Sequence, residues 1–311
     1  MSNIVMKLTS TTQKEIMNYY SQNTIERKAP GVIFAAKLPD CAITIYSSGK
    51  VMFQGGGCER EAKHWEASTE DTPTMTSSKG DALPKNLSSL AVMGSDETGT
   101  GDYFGPITVA AVYVPQDKIE LVKELGVKDS KMLKDDYMLQ IAPDLKATLP
   151  HCVLTLHNEK YNTVQKAGTS QGKMKALLHN QALCHLLKKI APEKPEYVLI
   201  DQFAERKTYY NYIKNEKEIV TENVLFATKA EQIHVAVAAA SILARCAFLQ
   251  EMDKLSRQIG ITLPKGASHQ VDEIAAQILL AQGEEALYSV TKWHFANTRK
   301  ASHIASKKRN F

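Results

Sequence analysis

Residues 93–106 read MGSDETGTGDYFGP and lie between two apolar runs, LAVM at residues 90–93 and ITVAAVYV at residues 107–114. Both runs are short and apolar, and the second is rich in β-branched side chains, which predicts two strands. Asp96 and Glu97 stand side by side where the first strand ends. Burial and mutual repulsion make two adjacent carboxylates costly unless a cation neutralises them. The stretch therefore predicts a cation site at the end of a strand.

Three glycines, Gly99, Gly101 and Gly105, follow the two acids. Glycine lets the backbone approach a ligand closely, and the N–H groups of such a loop can bind an anion. The spacing is not that of a dinucleotide-binding loop, because the third glycine comes one residue late, and no Gly-Lys-Ser or Gly-Lys-Thr follows as in a P-loop. Acids for a metal beside amides for a phosphate indicate a nuclease-like site. A hairpin with an acidic, glycine-rich turn is the structural alternative.

A second acid, Asp201, ends the apolar run YVLI at residues 197–200 in the same manner as Asp96. Ligands bind at the carboxyl ends of strands in α/β sheets, so two neighbouring strands would bring Asp96 and Asp201 together. Glu205 lies four residues after Asp201, where a helical turn would place both on one side. Four acids facing one another need divalent metal. Oxygen ligands and a phosphate substrate favour two Mg²⁺ or Mn²⁺ ions over zinc.

The composition is that of a soluble protein of about two domains, with 311 residues, 43% hydrophobic and 23% charged. The absence of a long apolar run and of a signal peptide in residues 1–8 predicts a cytoplasmic protein without a membrane partner. The five cysteines are scattered, which argues against both disulfides and a zinc site. They are Cys41, Cys58, Cys152, Cys184 and Cys246. Residues 286–311 contain six Lys or Arg and no acid, which predicts a basic tail that meets a polyanion.

Residues 1–66 predict a small α+β domain with one sheet and helices on one face. Strands are expected at residues 4–8, 32–37, 42–46 and 50–54, and helices at residues 11–21 and after residue 57. Cys58, Ala62 and Trp65 would share one face of the second helix. Residues 67–88 are rich in Ser, Thr, Pro and charge and lack Val, Ile and aromatic residues. This composition predicts a linker.

Residues 89–311 alternate predicted strands and helices, which indicates an α/β domain with a mixed sheet and helices on both faces. Besides the strands already named, strands are expected at residues 152–157, 196–201 and 223–227. Helices are expected at residues 118–125, 137–148, 172–190 and 232–252. The last of these helices is apolar on most of its surface and rich in alanine, so we expect it to be buried close against the sheet.

Residues 95–106, SDETGTGDYFGP, resemble the first catalytic motif of the type 2 ribonucleases H, and the GTG and DYFGP segments resemble ribonuclease HIII. Further similarity lies at KDSK (128–131), LIDQFAE (199–205), ATKAE (227–231) and AAASILAR (238–245). The resemblance extends through the amino-terminal domain. It implies a ribonuclease H-like mixed sheet flanked by helices and preceded by a TATA-binding-protein-like domain that grips a hybrid duplex. Backbone contacts there are expected from Lys37, Tyr46, Lys50 and Lys63.

The resemblance implies a monomeric endoribonuclease that hydrolyses the RNA strand of RNA/DNA hybrids by two-metal-ion catalysis, leaving 5′-phosphate and 3′-hydroxyl ends. Asp96 would bridge the ions, Glu97 and Asp201 would be further ligands, and Glu205 would complete the catalytic acids. Glu231 is the alternative fourth acid, as in ribonuclease HII. The substrate would be bound by a 2′-hydroxyl-reading loop and by phosphate-binding side chains. These residues are Gly99, Thr100, Gly101, Lys131, Lys229, Ser241 and Arg245.

Three other functions remain open from the sequence. They are a ribonuclease HII-like junction nuclease, a catalytically silent duplex-binding protein, and a DNA-strand-transfer enzyme of the same fold. The four acids argue against the silent protein, and the lack of a recognisable sequence-reading domain argues against the transferase. None of the nine histidines is assigned to the site, since an isolated histidine such as His234 or His294 is more often part of the core.

Overall fold

The chain forms two units, Met1–Ser77 and Ser78–Phe311. The computed structural model describes residues 3–27, 31–66, 80–127 and 133–309. Each unit has its own sheet and its own hydrophobic core.

The first unit has a four-stranded antiparallel sheet in the order β1-β4-β3-β2. Its elements are β1 (Asn3–Lys7), α1 (Ser10–Tyr19), β2 (Val32–Lys37), β3 (Ala42–Tyr46), β4 (Lys50–Gln54) and α2 (Cys58–Glu66). Ile16 of α1 and Trp65 of α2 join the sheet residues Ile43, Ile45 and Phe53 in one cluster. Both helices therefore cover the same face of the sheet, and the predicted small α+β domain is confirmed.

The sheet of the second unit has five strands in the order β7-β6-β5-β8-β9. The strands are β5 (Val92–Thr98), β6 (Ile107–Val114), β7 (His151–Leu156), β8 (Tyr197–Asp201) and β9 (Val224–Ala227). The pairs β5–β6 and β6–β7 are antiparallel, whereas β5–β8 and β8–β9 are parallel. The predicted mixed sheet is confirmed, and its antiparallel-to-parallel change occurs at β5, the strand that carries Asp96.

The described part of the second unit contains helices on both faces of this sheet and two further helices that pack outside it. They are α3 (Ile119–Glu124), α4 (Asp135–Thr148), α5 (Asn158–Lys166), α6 (Gln171–Ile190), α7 (Arg206–Ile213), α8 (Val235–Ile259), α9 (His269–Val290) and α10 (Ala296–Arg309). Residues of α3, α4 and α8 form one cluster with the sheet, and residues of α6 and α7 form another. The helices α5, α7, α9 and α10 were not predicted. A third cluster joins α9 and α10 to Tyr103 and Phe104 of the glycine-containing loop.

The helix α8 lies against β5 as its alanines predict. It is long and apolar enough to cross a membrane by composition alone, but most of it is buried inside the protein. A Cβ atom at Gly94 would lie 2.4 Å from the Val237 nitrogen, so glycine permits this close approach. The helix begins at His234, whose ring accepts a hydrogen bond from the Ala236 N–H, and ends at Gly260 in the left-handed conformation.

Of the predicted linker, residues 67–88, the structure describes only the last nine residues. Residues 67–79 lie outside the described residues, but residues 80–88 belong to the second unit. Gly80 forms a bridge with Ala227, and the Asp81 N–H donates to the Phe226 carbonyl. Leu87 is buried. The polar composition concealed this docked segment because its contacts are made with β9, far away in the sequence.

The predicted basic tail is also largely folded. Residues 296–309 form α10, which packs on α9. Lys292, one of its six basic residues, is completely buried. Lys300 and Lys308 lie 3.5 Å and 3.1 Å from carboxylate oxygens of α9, on Asp272 and Glu273. The charge of this end is therefore partly used inside the fold.

Candidate active site

Asp96 and Asp201 come to adjacent positions on neighbouring strands. Ser95 pairs with Ile200 in the parallel register of β5 and β8, and the two acids follow directly. Burial, together with the nearby charges of Glu97 and Asp201, raises the pKa of Asp96 to about 8, against the opposing effect of hydrogen bonds with Ser241 and the Glu97 N–H. Three predicted acids therefore lie within electrostatic reach of one another. A buried carboxyl group whose negative charge is not balanced by a neighbouring positive charge is suited to binding a cation.

Glu97 is held by two partners on α6. The Lys175 Nζ atom donates to Glu97 Oε1 at 2.7 Å, and His179 Nε2 lies 3.0 Å from Oε2. The other ring nitrogen of His179 lies 2.7 Å from the Ser95 hydroxyl. Burial opposes ionisation of Glu97, but the hydrogen bond and charge of His179, with the charge of Lys175, lower its pKa to about 2. The two adjacent acids thus have opposite pKa shifts.

The two candidates for the fourth acid differ in their surroundings. Residues 202–205 form no helical turn, so the expected helical placement of Glu205 beside Asp201 is wrong. Glu205 is instead the exposed residue preceding α7. Asp201 Oδ1 accepts a hydrogen bond from the Ala230 N–H at 2.9 Å. Glu231 follows Ala230 in a buried 3₁₀ turn and is 4% exposed.

The glycine-containing loop, residues 99–106, has a tightly defined backbone. Gly99 has φ of 96°, and a Cβ atom there would lie 2.2 Å from the Pro106 carbonyl oxygen. The Thr100 carbonyl accepts a hydrogen bond from Gln171 Nε2 at 3.0 Å. The buried Thr100 hydroxyl has no hydrogen-bond partner within the part of the chain that the structure describes. Nothing lies within 4 Å of a Cβ position at Gly101, so this backbone is open to a ligand.

The predicted phosphate-binding residues lie in different surroundings. Lys131 lies outside the described residues. Lys229 is exposed, in the left-handed conformation, one residue before Ala230. Ser241 is hydrogen-bonded to Asp96. Arg245 forms a two-bond ion pair with Asp135 at 2.8 and 3.0 Å, so its guanidinium has a protein carboxylate where the sequence suggested a phosphate.

The predicted duplex contacts of the first unit lie on two different surfaces. Ile45 and Val51 belong to the helix-covered cluster, so strand alternation directs their neighbours Tyr46 and Lys50 to the opposite face of the sheet. Lys37 follows the buried Ala36 and is directed to the same opposite face. Lys63 is an exposed residue of α2, which covers the other face. The structure therefore groups three of the four residues.

The oxygen donors of Asp96, Glu97 and Asp201 fit a hard divalent cation. All are carboxylates, the ligand type that Mg²⁺ and Mn²⁺ prefer, and a cation would relieve the repulsion that raises the pKa of Asp96. Among the described residues, no three acidic, histidine or cysteine side chains are already grouped at metal-binding distance. The Glu97 carboxylate is bound to Lys175 and His179. Its reorientation would accompany metal binding.

Comparisons with known proteins show the family to which the chain belongs. The family model described as Ribonuclease HII matches residues 93–298, and a domain of unknown function, DUF3378, matches residues 3–78. The ribonuclease HIII of Lysinibacillus sphaericus strain C3-41 is 66% identical over 305 residues, which cover 97% of this chain and 99% of the relative. The chain belongs to the ribonuclease HII family, as a ribonuclease HIII. It is therefore a metal-dependent endoribonuclease, as the sequence predicted.

Further ribonuclease HIII relatives match over the whole chain. The protein of Bacillus subtilis strain 168 is 51% identical over 314 residues, 100% of each chain. The crystal structure of Bst-RNase HIII in complex with Mn²⁺ is 46% identical, with a TM-score of 0.71, and the match covers 98% of this chain and 100% of that one. Ribonuclease H2 of Pyrococcus horikoshii OT3 is 23% identical, with a TM-score of 0.56 over 70% of this chain and all of the other, and shows the fold alone.

The sequence analysis missed two residues of this ribonuclease HIII site, Lys175 and His179. The helix that carries them was predicted, and their spacing of four places them on one helical face. That spacing was the available signal. Recognising it required knowledge that this face of α6 lies against the end of β5, which is tertiary information.

Proposed function

We propose that the chain hydrolyses the RNA strand of RNA/DNA hybrids and leaves 5′-phosphate and 3′-hydroxyl ends. The observation that carries this proposal is the meeting of Asp96, Glu97 and Asp201 beside an open glycine-containing backbone. The family membership supplies the ribonuclease activity. The choice of a hybrid as substrate is the finer step that experiment must test.

Two divalent ions, Mg²⁺ or Mn²⁺, are the proposed cofactors. The Mn²⁺ complex of Bst-RNase HIII supports this choice. Asp96, Glu97 and Asp201 would hold the ions, and bound ions would activate the attacking water and stabilise the leaving 3′ oxygen. Asp96 must first release its proton. Before metal binds, Lys175 and His179 keep Glu97 ionised and hold its carboxylate near Asp96 and Asp201.

For the fourth acid, we propose Glu231, with Glu205 as the alternative. Two observations support Glu231: it is buried, and it adjoins Ala230, whose N–H binds Asp201. Glu205 is exposed and lacks the helical turn on which its expected placement rested. It remains the alternative, since an exposed side chain can reorient.

The glycine-containing loop is the proposed reader of the RNA strand. Its open Gly101 backbone offers N–H and carbonyl groups of the kind that bind a 2′-hydroxyl and its phosphate. Lys131, Lys229 and Ser241 are proposed to bind neighbouring phosphates, with Ser241 also bonded to Asp96. The face of the first unit's sheet that carries Lys37, Tyr46 and Lys50 would add contacts that strengthen binding without reading sequence.

The proposed substrate is tested with end-labelled duplexes. We expect internal cuts in the RNA strand of a long hybrid, and products whose 5′ ends are sensitive to phosphatase. A DNA duplex containing one ribonucleotide should be cut much less efficiently. Preferred cutting of the single-ribonucleotide duplex would instead show the ribonuclease HII-like junction activity. Tight hybrid binding without cleavage by either metal would show a silent duplex-binding protein.

We also propose that the chain acts as a monomer in the cytoplasm. All five cysteines are free thiols, as expected in a reducing compartment. Light scattering on the purified protein would test the monomer by its mass, and a dimer mass would contradict it.

A further inference from the structure

Lys292 is a buried lysine whose ammonium group binds the carbonyl oxygens of the glycine-containing loop. Its side chain has no solvent exposure. Its Nζ atom donates to the carbonyls of Asp102 at 2.8 Å, Gly105 at 2.6 Å and Pro106 at 3.3 Å. An ammonium has three donors. The three carbonyls of this one loop can therefore accept all three N–H donors of the Lys292 ammonium group.

The three carbonyls that Lys292 binds are connected to residues 99–101, the part of the loop proposed to read the RNA strand. Gly99 packs directly against the Pro106 carbonyl, which leaves no space for a Cβ atom. The Asp102 N–H donates to the Gly99 carbonyl at 3.3 Å. Fixing Pro106 and Asp102 thus fixes both sides of the short Gly99–Thr100–Gly101 segment. Lys292 acts on this segment without touching it.

The backbone around Lys292 supports the same loop. The Lys292 N–H donates to the Tyr103 carbonyl at 2.8 Å, and the Gly105 N–H donates to the Val290 carbonyl at 2.9 Å. Asn158 Nδ2 adds a 2.9 Å bond to the Gly105 carbonyl. These contacts would remain if the Lys292 side chain were replaced. The side chain therefore adds a separate, testable constraint to a loop that already has a scaffold.

An ammonium group in this position has a clear electrostatic cost. Burial lowers the pKa of Lys292 to about 7, and Asp102 only partly opposes the shift. An apolar side chain such as Met could fill a similar space without that cost. What an apolar side chain cannot supply is hydrogen bonds to the three carbonyls. The Gly105 carbonyl would keep its bond from Asn158, whereas the Asp102 and Pro106 carbonyls would lose the Lys292 donor.

We propose that Lys292 is a positioning residue for recognition of the RNA strand: its ammonium group holds the loop so that the backbone of residues 99–101 meets a 2′-hydroxyl. This inference rests on the proposed hydrolysis of hybrids. It differs from a merely structural role in one respect. Loss of the Lys292 ammonium should reduce discrimination between ribose and deoxyribose, and a general loss of stability should not.

The test is a cycle of protein and substrate changes. A series of hybrids carries a single 2′-deoxynucleotide at successive positions around one cut site. For each hybrid, the deoxy penalty is the ratio of kcat/KM for the all-ribose hybrid to kcat/KM for the hybrid with the 2′-deoxynucleotide. In the unaltered protein, we expect the position read by the loop to show a penalty of about fivefold or more, the value of one hydrogen bond. Lys292→Met should bring that penalty close to one.

Two further variants complete the cycle. Lys292→Gln retains a shorter donor and should show an intermediate penalty. The matched control is Lys189→Met, because Lys189 also donates to a backbone carbonyl, that of His151, but is exposed. The control should keep the penalty of the unaltered protein. Thermal unfolding of each variant, measured alongside, separates loss of discrimination from loss of folded protein.

The outcomes are distinct. An unchanged deoxy penalty in Lys292→Met and Lys292→Gln would overturn the inference, even if both cut more slowly. Failure of both variants to fold would overturn it as well, because Lys292 would then serve the fold. Hybrid cleavage by the unaltered protein without any position-dependent penalty would refute the reading loop and leave hydrolysis intact. No cleavage of the hybrid at all would refute the proposed function itself.

Discussion

The Nε2 atom of His179 lies 3.0 Å from the Oε2 atom of Glu97, and the opposite ring nitrogen lies 2.7 Å from the Ser95 hydroxyl. The imidazole therefore connects Ser95 and Glu97 of β5. Together with Lys175, it fixes the orientation of the Glu97 carboxylate. Glu97 is kept ionised, whereas its neighbour Asp96 has a raised pKa. Two carboxylates that are adjacent in sequence thus start from opposite protonation states at neutral pH.

Replacing His179 should weaken the site without removing an acid. His179→Ala loses the donor that orients Glu97 and part of the positive charge that keeps it ionised. Partners of this kind commonly contribute about 10–100-fold to metal affinity or activity. We expect a loss in that range, measured as kcat/KM against metal concentration. His185→Ala is the matched control, an exposed histidine on the same helix. Equal activity of the two variants would refute the role of His179.

Metal binding should be coupled to loss of a proton from Asp96. With its pKa raised to about 8, the metal-free carboxyl is protonated below that pH and ionised above it, and only the ionised form binds a cation. The apparent affinity for Mn²⁺ should therefore rise about tenfold per pH unit below pH 8 and level off above it. Calorimetry in two buffers of different ionisation enthalpy should detect roughly one released proton. Asp96→Asn should abolish the release. A pH-independent affinity would contradict this.

The fourth acid can be identified with two single variants. Glu231→Gln should lower the rate of hybrid cleavage by at least about tenfold, equivalent to about 1.4 kcal/mol of transition-state stabilisation. Glu205→Gln should remain within about threefold of the unaltered protein, since the exposed side chain lies before α7. The measurement is single-turnover cleavage at saturating metal. The reverse pattern would restore Glu205 as the fourth acid.

The docked segment of residues 80–88 should contribute to the stability of the second unit. Asp81 accepts two hydrogen bonds from Arg206, at 3.1 and 2.6 Å, and one from the Phe226 N–H at 2.7 Å. Asp81→Ala should lower the free energy of unfolding by about 1–2 kcal/mol, because these partly buried donors lose their acceptor. Urea unfolding would measure it.

The control for the Asp81 variant is Glu120→Ala, which breaks an exposed ion pair with Lys123. That pair should contribute less than about 0.5 kcal/mol. If the two variants unfold at the same urea concentration, the segment is not docked in solution, and the longer linker indicated by the composition is correct.

The meeting of Asp96 and Asp201 was predictable because its signal is local. Asp96 and Asp201 each follow an apolar strand, and two such strand ends meet at one edge of a sheet. The partners of these acids were not predictable, because their signal is tertiary. Asp81 looks like a linker residue until Arg206, 125 residues away, is placed beside it. In the sequence, Lys292 looks like part of a basic tail, but in the structure it is buried and bonded to the glycine-containing loop.

The limits of helix prediction have a related physical cause. The helix α6 was expected at residues 172–190 and is found at Gln171–Ile190, because Ser170 caps it and Pro192 follows its end. The helix α10 was missed, since its sequence, ANTRKASHIASKKR, has few apolar residues to indicate a buried face. Its stability comes from packing on α9, which no local pattern shows.

The central claim is that the carboxylates of Asp96 and Asp201 carry metal-dependent cleavage of the RNA strand in a hybrid. The most direct test compares Asp96→Asn and Asp201→Asn with the unaltered protein on an end-labelled hybrid, with Mg²⁺ and with Mn²⁺. The account predicts internal cuts by the unaltered protein and a loss of at least about a thousandfold in both variants, with hybrid binding largely kept. Cleavage by either variant at the unaltered rate, or binding without cleavage by the unaltered protein, would contradict it.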